Sequence, residues 1–306
     1  MQEAIPGARV VGLRTLRGGL GGLTRAMRVR DGDDVARTVT LRTYAEKEWM
    51  TPERLEREFR ALELLERAGA PAPRPLARDA TGERFGAPAM LQSYLPGRAV
   101  VAPVDQDQWL EELARGLASV HTISPRSWDL SFLPVEGEDH ARKEAGEAPG
   151  EGLAGDALAQ SAGEVAREAV ERIAWLPHSL VHGDYWPGNV VMFRGRVAGV
   201  IDWPSVAVGD RRDDVATCRL DLTLMHGLGA ADAFLAAYER ARGEKLENVW
   251  LFDLLRGMSA LAHLPRVEKW LQGYHDLGLT GVTPDLAVER CRGFLRAALA
   301  ESRKPS

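Results

Sequence analysis

Short β-prone runs open the chain and predict the strands of a small sheet. One run begins at residue 10, a second covers residues 24–30 and a third covers residues 38–42. In the third run Val39 faces one side of the strand and Arg42 faces the other, because side chains alternate along a strand. We therefore expect a sheet with one apolar face and with Arg42 on the opposite face.

A glycine-rich segment separates the first two predicted strands. Its backbone N–H groups can approach a phosphate closely, because glycine has no side chain to intervene. The segment contains neither the lysine of a P-loop nor a G-x-G-x-x-G pattern, so neither a P-loop NTPase nor a Rossmann site is supported. An ordinary turn between strands is the alternative. The candidate phosphate-binding residues are Gly18, Gly19, Gly21 and Gly22.

Apolar residues at helical spacing follow the third strand. Thr51 and Pro52 are typical of an N-cap and a first helical residue, and apolar side chains then recur every three or four positions from Leu55 to Leu65. Glutamates on this predicted helix are candidate partners for Arg42, and they are Glu56, Glu58 and Glu63.

A proline-rich stretch at residues 70–75 ends that helix. The apolar run at residues 89–95 predicts a buried strand that leads into a hinge closed by Pro96 and Gly97. Helical spacing dominates afterwards, while residues 134–165, rich in Gly, Glu and Ala, predict either a mobile excursion or a charged helical insert. We therefore expect an α+β fold with two lobes.

Two apolar runs at residues 190–193 and 197–201 predict a β-hairpin, with a turn at residues 194–196. The midpoint between Asn189 and Asp202 falls inside this turn, so we expect the two residues roughly opposite one another, with Cα atoms about 5 Å apart. An amide oxygen and a carboxylate at that separation can share a magnesium ion, which prefers oxygen ligands. Turn chemistry alone would also explain either residue singly.

Asp184 precedes the hairpin in the segment His182-Gly-Asp-Tyr-Trp-Pro-Gly-Asn189. The Pro-Gly bend is expected to fold Asp184 back toward the predicted metal ligands. A carboxylate beside a metal, and not bound to it, is suited to accept a proton from an attacking hydroxyl. This combination favours a magnesium-dependent phosphoryl transfer.

The segment from His182 to Asp214 resembles the aminoglycoside phosphotransferase family, whose bilobal fold is related to that of the eukaryotic protein kinases. The family pattern H-G-D-x-x-x-x-N matches His182 to Asn189, and an I-D-W/F motif matches Ile201-Asp202-Trp203. A following G-D-R-x-x-D segment matches Gly209 to Asp214. The resemblance implies a nucleotide-binding lobe at residues 1–97 and a catalytic, substrate-binding lobe at residues 98–306.

The resemblance also implies roles for individual residues. Asp184 is expected to be the catalytic base, and Asn189 and Asp202 are expected to hold Mg²⁺. Arg42, oriented by Glu58, would contact the phosphates of ATP or GTP, and groups around Gln92 and Tyr94 would meet the nucleobase. Structural support is expected from His182, Asp210 and Asp214.

Composition narrows the class of protein. The chain has 306 residues, of which 45% are hydrophobic, so it can bury a substantial core. The two cysteines show no disulfide or zinc pattern, which favours a cytoplasmic protein. No signal peptide or membrane span is predicted. The net charge of −5, without a basic run, argues against nucleic-acid binding. We expect a monomer or a weak dimer.

The acceptor is expected to be a hydroxyl of a small molecule, and antibiotic modification is one interpretation. The resemblance implies an aminoglycoside, a macrolide, an amino alcohol, a sugar, homoserine or another hydroxyl compound, and the sequence leaves the choice open. A metal-dependent hydrolase using His182, Asp184 and Asp202 is an alternative, because His178 and His182 have i, i+4 spacing. A catalytically silent nucleotide-binding protein of kinase fold is another.

Overall fold

The structure is a computed structural model, and it describes residues 5, 7–16, 23–44, 49–148, 153, 155–263 and 267–304. Its strands, in chain order, are β1 Arg9–Thr15, β2 Leu23–Arg30, β3 Ala36–Thr43, β4 Pro75–Asp79, β5 Ala89–Ser93, β6 Arg98–Ala99, β7 Val135–Glu136, β8 Ser179–Val181, β9 Val190–Phe193, β10 Arg196–Val200 and β11 Ala207–Gly209. Its helices are α1 Pro52–Ala68, α2 Gln106–Val120, α3 Glu138–Glu147, α4 Ala157–Ala169, α5 Arg212–His226, α6 Leu228–Arg242, α7 Val249–His263, α8 Val267–Asp276 and α9 Pro284–Glu301. The predicted α+β fold class is confirmed.

The chain divides into two compact units. The first contains residues 1–99 and 188–206, and the second contains residues 100–187 and 207–306. The predicted lobes, 1–97 and 98–306, differ from this division mainly because they assign the hairpin segment to the second lobe. Strand pairing explains the difference: Arg98 and Ala99 of β6 pair with Met192 and Val191 of β9.

The first unit is built on an antiparallel sheet in the order β1-β2-β3-β5-β4. One face carries an apolar core formed by residues such as Met27, Val39 and Leu91, as the alternation predicts. Arg42 points to the other side, where α1 packs and supplies its partner. Helix α1 begins as expected, since the Thr51 hydroxyl accepts a hydrogen bond from the Arg54 N–H at 3.3 Å.

The second unit is mainly helical and includes a small sheet in the order β7-β11-β8. Helices α5, α7 and α9 pack together around fully buried leucines such as Leu222, Leu254 and Leu295. The segment predicted as a mobile excursion or a charged helical insert forms α3 and the start of α4 where it is described. None of the helices within the described residues is long and apolar enough to cross a membrane.

Candidate active site

The predicted hairpin is present as β9 and β10, with a tighter turn than expected. Arg194 and Gly195 alone form the turn, with φ of 52° and 75° respectively. Two consecutive residues with positive φ are typical of a type I′ turn, whose twist matches that of the flanking strands. The turn therefore has two residues and not three.

The register of this hairpin corrects the expected pairing of the metal-ligand candidates. Val190 pairs with Val200, and the Ile201 N–H donates to the Asn189 carbonyl at 2.8 Å. Asn189 consequently faces Ile201, and Asp202 lies one residue further along. The two-residue turn alone would place Asn189 opposite Val200, and the bulge between Val197 and Gly199 moves this pairing by one residue, to Ile201.

Asp202 has a left-handed backbone conformation, with φ of 67°. Aspartate is among the few residues with a side chain that adopt this conformation readily. The turn of the backbone redirects the chain directly after β10, and the Asp202 carboxylate accepts a hydrogen bond from Arg42. Its side chain remains 18% exposed.

Arg42 joins two carboxylates on the face of the sheet opposite the apolar core. Its Nη1 donates to Glu58 Oε1 at 2.8 Å, and its Nη2 donates to Asp202 Oδ1 at 2.5 Å. Burial opposes the charge on Arg42, but the acidic groups around it, Tyr44, Asp202 and Glu58, raise its pKa well above the ordinary value. The guanidinium is therefore a permanent cation held by two anions.

The other candidate glutamates of α1 do not reach this group. Glu56 pairs with Arg78 at 2.7 Å, and Glu63 is exposed. Glu58 is fully buried, because α1 turns it toward β3, where it meets Arg42. The structure thus brings Arg42 and Glu58 together as expected, and their role toward a nucleotide stays a prediction.

Tyr44 and Trp203 complete the surroundings of Glu58, and sequence reasoning did not identify either contact. The Tyr44 hydroxyl donates to Glu58 Oε2 at 3.1 Å, and the Trp203 N–H donates to Glu58 Oε1 at 3.2 Å. Tyr44 lies two positions after Arg42, so strand alternation was a usable signal for it. Through Trp203 the carboxylate fixes the backbone next to Asp202.

Gln92 of β5 lies on the same side of the sheet as Arg42. It pairs with Thr40 in the ladder, two positions before Arg42 on β3. Its side chain is buried, and its Oε1 has no hydrogen-bond partner among the described residues. Tyr94 accepts a hydrogen bond from Arg14 at 2.8 Å. The candidates Gly18, Gly19, Gly21 and Gly22 lie outside the described residues.

In the second unit, Asp214 holds the segment that contains Asp184. The N–H groups of His182 and Gly183 donate to its two carboxylate oxygens at 2.7 and 2.8 Å. Gly183 has φ of 78°, a conformation that suits glycine and allows both N–H groups to converge. His182 also accepts a hydrogen bond from the Asp184 N–H at 3.2 Å, and Asp184 itself is exposed.

His121 and Tyr238 extend the hydrogen bonds around Asp214, and no sequence pattern indicated either contact. Burial lowers the pKa of His121, so its ring is neutral. A neutral ring fits the geometry: Nε2–H donates to Asp214 Oδ2 at 3.1 Å, and Nδ1 accepts from the Tyr238 hydroxyl at 2.7 Å. Burial acts against the charge of Asp214, but His121 and the loop N–H groups hold the pKa of that carboxyl below its usual range.

Asp210 forms a separate buried ion pair in the second unit. Its carboxylate binds the Arg212 guanidinium through two contacts, at 2.6 and 3.0 Å. It also accepts from the Leu176 N–H at 3.4 Å. The pair ties the start of α5 to the segment before β8.

The geometry on which the metallohydrolase alternative depends is absent. Residues 179–181, which separate His178 from His182, form strand β8 and not a helix, so i, i+4 spacing does not bring the two rings together. Within the described part of the chain, no three or more His, Cys, Asp or Glu side chains cluster as a metal site.

Comparison with models of protein families identifies the family of this chain. The model of the phosphotransferase enzyme family matches residues 12–250. The chain belongs to this family, and the resemblance to the aminoglycoside phosphotransferases is confirmed.

Curated relatives include homoserine kinases from two bacteria. That of Phenylobacterium zucineum is 28% identical over 197 residues, which cover 60% of this chain and 58% of the relative. That of Sinorhizobium medicae is 28% identical over 221 residues, which cover 68% of this chain and 66% of the relative. The chain thus spans somewhat less than two thirds of the length of these relatives.

Solved structures share the fold across nearly the whole chain. One, from Ralstonia eutropha JMP134, is described as a candidate aminoglycoside phosphotransferase; its TM-score is 0.68 at 16% identity, covering 100% of this chain and 97% of that one. Another is a thermostable mutant of aminoglycoside phosphotransferase APH(4)-Ia in ternary complex with ADP and hygromycin B. Its TM-score is 0.60 at 17% identity, covering 97% and 96% of the two chains.

Proposed function

We propose that this protein is a magnesium-dependent phosphotransferase that moves the γ-phosphoryl group of ATP or GTP to a hydroxyl of a small molecule. One observation carries the proposal: Arg42 is held by Glu58 at 2.8 Å and by Asp202 at 2.5 Å in a member of the phosphotransferase enzyme family. A buried, permanently charged guanidinium with fixed orientation is suited to bind phosphate oxygens.

The first unit would bind the nucleotide. Arg42 would hold the phosphates, and the unpaired Oε1 of Gln92 offers a buried acceptor for an amino group of a nucleobase. Tyr94 and the glycines at 18, 19, 21 and 22 complete the proposed set. The complex of the APH(4)-Ia mutant with ADP supports a nucleotide as co-substrate of this chain.

The donor chemistry of Asn189 and Asp202 fits a magnesium ion. Both offer oxygen ligands, and Asp202 Oδ2 accepts no hydrogen bond from any described residue. When bound, the cation would neutralise phosphate charge that Arg42 alone does not balance. Two protein ligands leave coordination positions for water and phosphate oxygens, which is usual for magnesium.

The second unit would supply the base. Asp184 is exposed on a loop whose backbone is fixed by Asp214, so its carboxylate can approach an acceptor hydroxyl and accept its proton. Phosphoryl transfer needs little covalent chemistry from the protein, so catalysis would come mainly from positioning and charge. His182, Asp210 and Asp214 would act by holding the loop and its supports.

A screen of the purified protein tests this proposal. ATP and GTP are offered with MgCl₂ and a panel of hydroxyl compounds that includes homoserine and hygromycin B, the compounds named for the relatives and the structural neighbour. We expect nucleoside diphosphate release coupled to a product heavier by one phosphoryl group, and loss of that product in Asp184→Asn. Failure to bind either nucleotide would remove the kinase interpretation, whereas binding without any transfer would favour the silent nucleotide-binding alternative.

A further inference from the structure

Trp186 lies two positions after Asp184 and is more exposed than Tyr185, the residue between them. Tyr185 is fully buried and its hydroxyl donates to the Leu113 carbonyl at 2.7 Å. Trp186 is only partly buried, unlike Trp203 and Trp109, which are 0% and 4% exposed. Tyr185 therefore anchors the loop in the core, while both of its neighbours keep accessible surface.

The indole of Trp186 rests on helix α8. Its ring centroid lies 5.8 Å from that of Tyr274, with an interplanar angle of 53°. Gly273 precedes Tyr274, and a Cβ at that position would lie 3.8 Å from the indole Cη2. This distance is an ordinary van der Waals contact, and it places the indole beside the backbone of α8. Such a tilted aromatic contact fixes the orientation of the indole without covering all of it.

A buried carboxylate in turn fixes α8. The hydroxyl of Tyr274, which is fully buried, donates to Asp221 of α5, and the Trp270 side chain acts on the same carboxylate by lowering its pKa. Tyr274 and Trp270 are four positions apart, so both lie on one face of α8. Burial raises the pKa of Asp221 to about 7, and no cation among the described residues pairs with it. This carboxylate is held by neutral donors alone.

Helix α5 thus supports the loop at two places. Asp214 binds the loop backbone before Asp184, and Asp221 supports the indole after it through Tyr274. The two aspartates are seven positions apart, so they lie on the same face of α5. The catalytic candidate is consequently flanked by a backbone anchor on one side and a positioned aromatic face on the other.

We infer that Trp186 is an acceptor-recognition residue, and that Tyr274 and Asp221 are positioning residues that hold its indole. Residues two positions apart are separated by at most about 7 Å, so an acceptor larger than this that reacts at Asp184 can contact the indole. The indole selects acceptors that carry an apolar or aromatic group beside the reacting hydroxyl. This inference rests on the proposed function, and it favours such acceptors over small polar ones such as homoserine.

Matched acceptor pairs test the inference. Each pair shares its hydroxyl and amine and differs by one aromatic group: ethanolamine with N-benzylethanolamine, and L-homoserine with N-benzyl-L-homoserine. The readout is the ratio of kcat/KM for the benzyl compound to that for its plain partner. We expect a ratio of about 10 in the native protein, falling toward 1 in Trp186→Ala and staying intermediate in Trp186→Phe.

Two controls separate recognition from folding. The KM for magnesium–ATP and the melting temperature are measured in every variant, and Trp128→Ala serves as the matched change at another partly buried tryptophan. Trp128→Ala is expected to keep the native ratio. An unchanged ratio in Trp186→Ala, with transfer intact, would overturn the inference and leave the proposed function standing. Absence of product from every pair would overturn the inference that the acceptor carries an apolar or aromatic group beside its hydroxyl. Absence of nucleotide binding would overturn the proposed function itself.

The positioning residues are tested by removing single hydrogen-bonding groups. Tyr274→Phe keeps the ring beside Trp186 and removes the hydroxyl, and is expected to raise the KM for the benzyl acceptors about 2- to 10-fold with kcat and the nucleotide KM little changed. Asp221→Asn keeps an oxygen acceptor and is expected to do less than Asp221→Ala. A purely structural role would instead lower the melting temperature without changing the benzyl-to-plain ratio.

Discussion

Asp202 in the first unit and Asp214 in the second are aspartates used in opposite ways. Asp214 is 1% exposed, and its oxygens accept from His121 and from two loop N–H groups. Asp202 is 18% exposed, accepts from Arg42 at one oxygen, and has no hydrogen bond to the other among the described residues. A carboxylate whose acceptor sites are filled supports structure, whereas one with remaining capacity is suited to bind a ligand.

The segments around these aspartates are held by different forces. The hairpin of the first unit depends on charge, because Arg42 bridges Glu58 and Asp202. The loop of the second unit depends on backbone hydrogen bonds and on a neutral histidine. Changes in the first unit should therefore affect nucleotide binding, and changes in the second should affect either transfer or stability.

The largest effect is expected from Asp184→Asn. The asparagine amide cannot take the proton from the hydroxyl group that receives the phosphoryl group, so kcat should fall about 10²- to 10⁴-fold. The Kd for magnesium–nucleotide should stay within about twofold. Steady-state kinetics and calorimetric titration measure the two quantities. Asp202→Asn is the matched change and should weaken magnesium–nucleotide binding itself. Near-native turnover by Asp184→Asn would show that Asp184 is not the base.

Asp214→Ala should cause the next largest effect, this time on stability. It leaves the His182 and Gly183 N–H groups and the His121 ring without their acceptor, and we expect a loss of about 3 kcal/mol in the free energy of unfolding. Urea unfolding followed by circular dichroism measures it. Asp139→Ala, at a fully exposed side chain, should change stability by no more than about 0.5 kcal/mol. Equal losses of unfolding free energy in the two variants would contradict the role of Asp214 in holding the loop.

Arg42→Lys should act on the first unit and raise the KM for the nucleotide about tenfold. An ammonium cannot reproduce the planar fork that contacts Glu58 and Asp202 together. Nucleotide-dependent initial rates at saturating acceptor measure this change. Arg78→Lys, in the ion pair of exposed Glu56, is the control and should leave the nucleotide KM as it is. An equal rise in both variants would count against a specific role for Arg42.

His121→Gln should have the smallest effect, visible in the pH dependence of stability. Because burial lowers the pKa of His121, the unfolded chain takes up a proton below about pH 6.5 that the folded chain does not. Stability from this residue is therefore lost as the pH falls, by at most about 1.4 kcal/mol per unit. Buried Asp213, Asp221 and Asp253, whose pKa values are raised to about 6, 7 and 6, contribute with the opposite sign.

The comparison of slopes isolates the histidine from those carboxylates. The free energy of unfolding is measured in urea between about pH 5 and 7.5 for the native protein and for His121→Gln. The variant should lose less stability, or gain more, on acidification than the native protein. Identical slopes in the native protein and in the variant would show that His121 does not stay neutral in the fold.

Local patterns predicted much of the first unit. Strand alternation placed Arg42 opposite the apolar face, and the Thr51-Pro52 pair gave the start of α1. The hairpin was predicted with a turn one residue too long, because Arg194 in a left-handed conformation carries little local signal. The bulge after Val197 was also invisible, since it depends on packing around the strand. These two differences cancel, because a three-residue turn would also place Asn189 opposite Ile201; Asp202 is one residue further because the second strand segment, residues 197–201, is one residue longer than the first.

The supports of the loop could not be predicted in the same way. His121 ends α2 and Tyr238 lies on α6, and only the tertiary packing of those helices brings both to Asp214. The family motif indicated that Asp214 is important but not what it binds. The contact of Trp186 with α8 has the same origin, because the residues involved are 88 positions apart. Sequence patterns report neighbours along the chain better than neighbours across it.

The positive φ of Asp202 affects how mutational scans of this protein should be interpreted. Most replacements there introduce backbone strain as well as removing a carboxylate, so an alanine or valine scan would overstate the chemical importance of the position. Asparagine accepts the same backbone conformation, and glycine reports the loss of the side chain without the strain. The effects of mutation at Asp202 and at Asp184 can therefore be compared only through the asparagine and glycine variants.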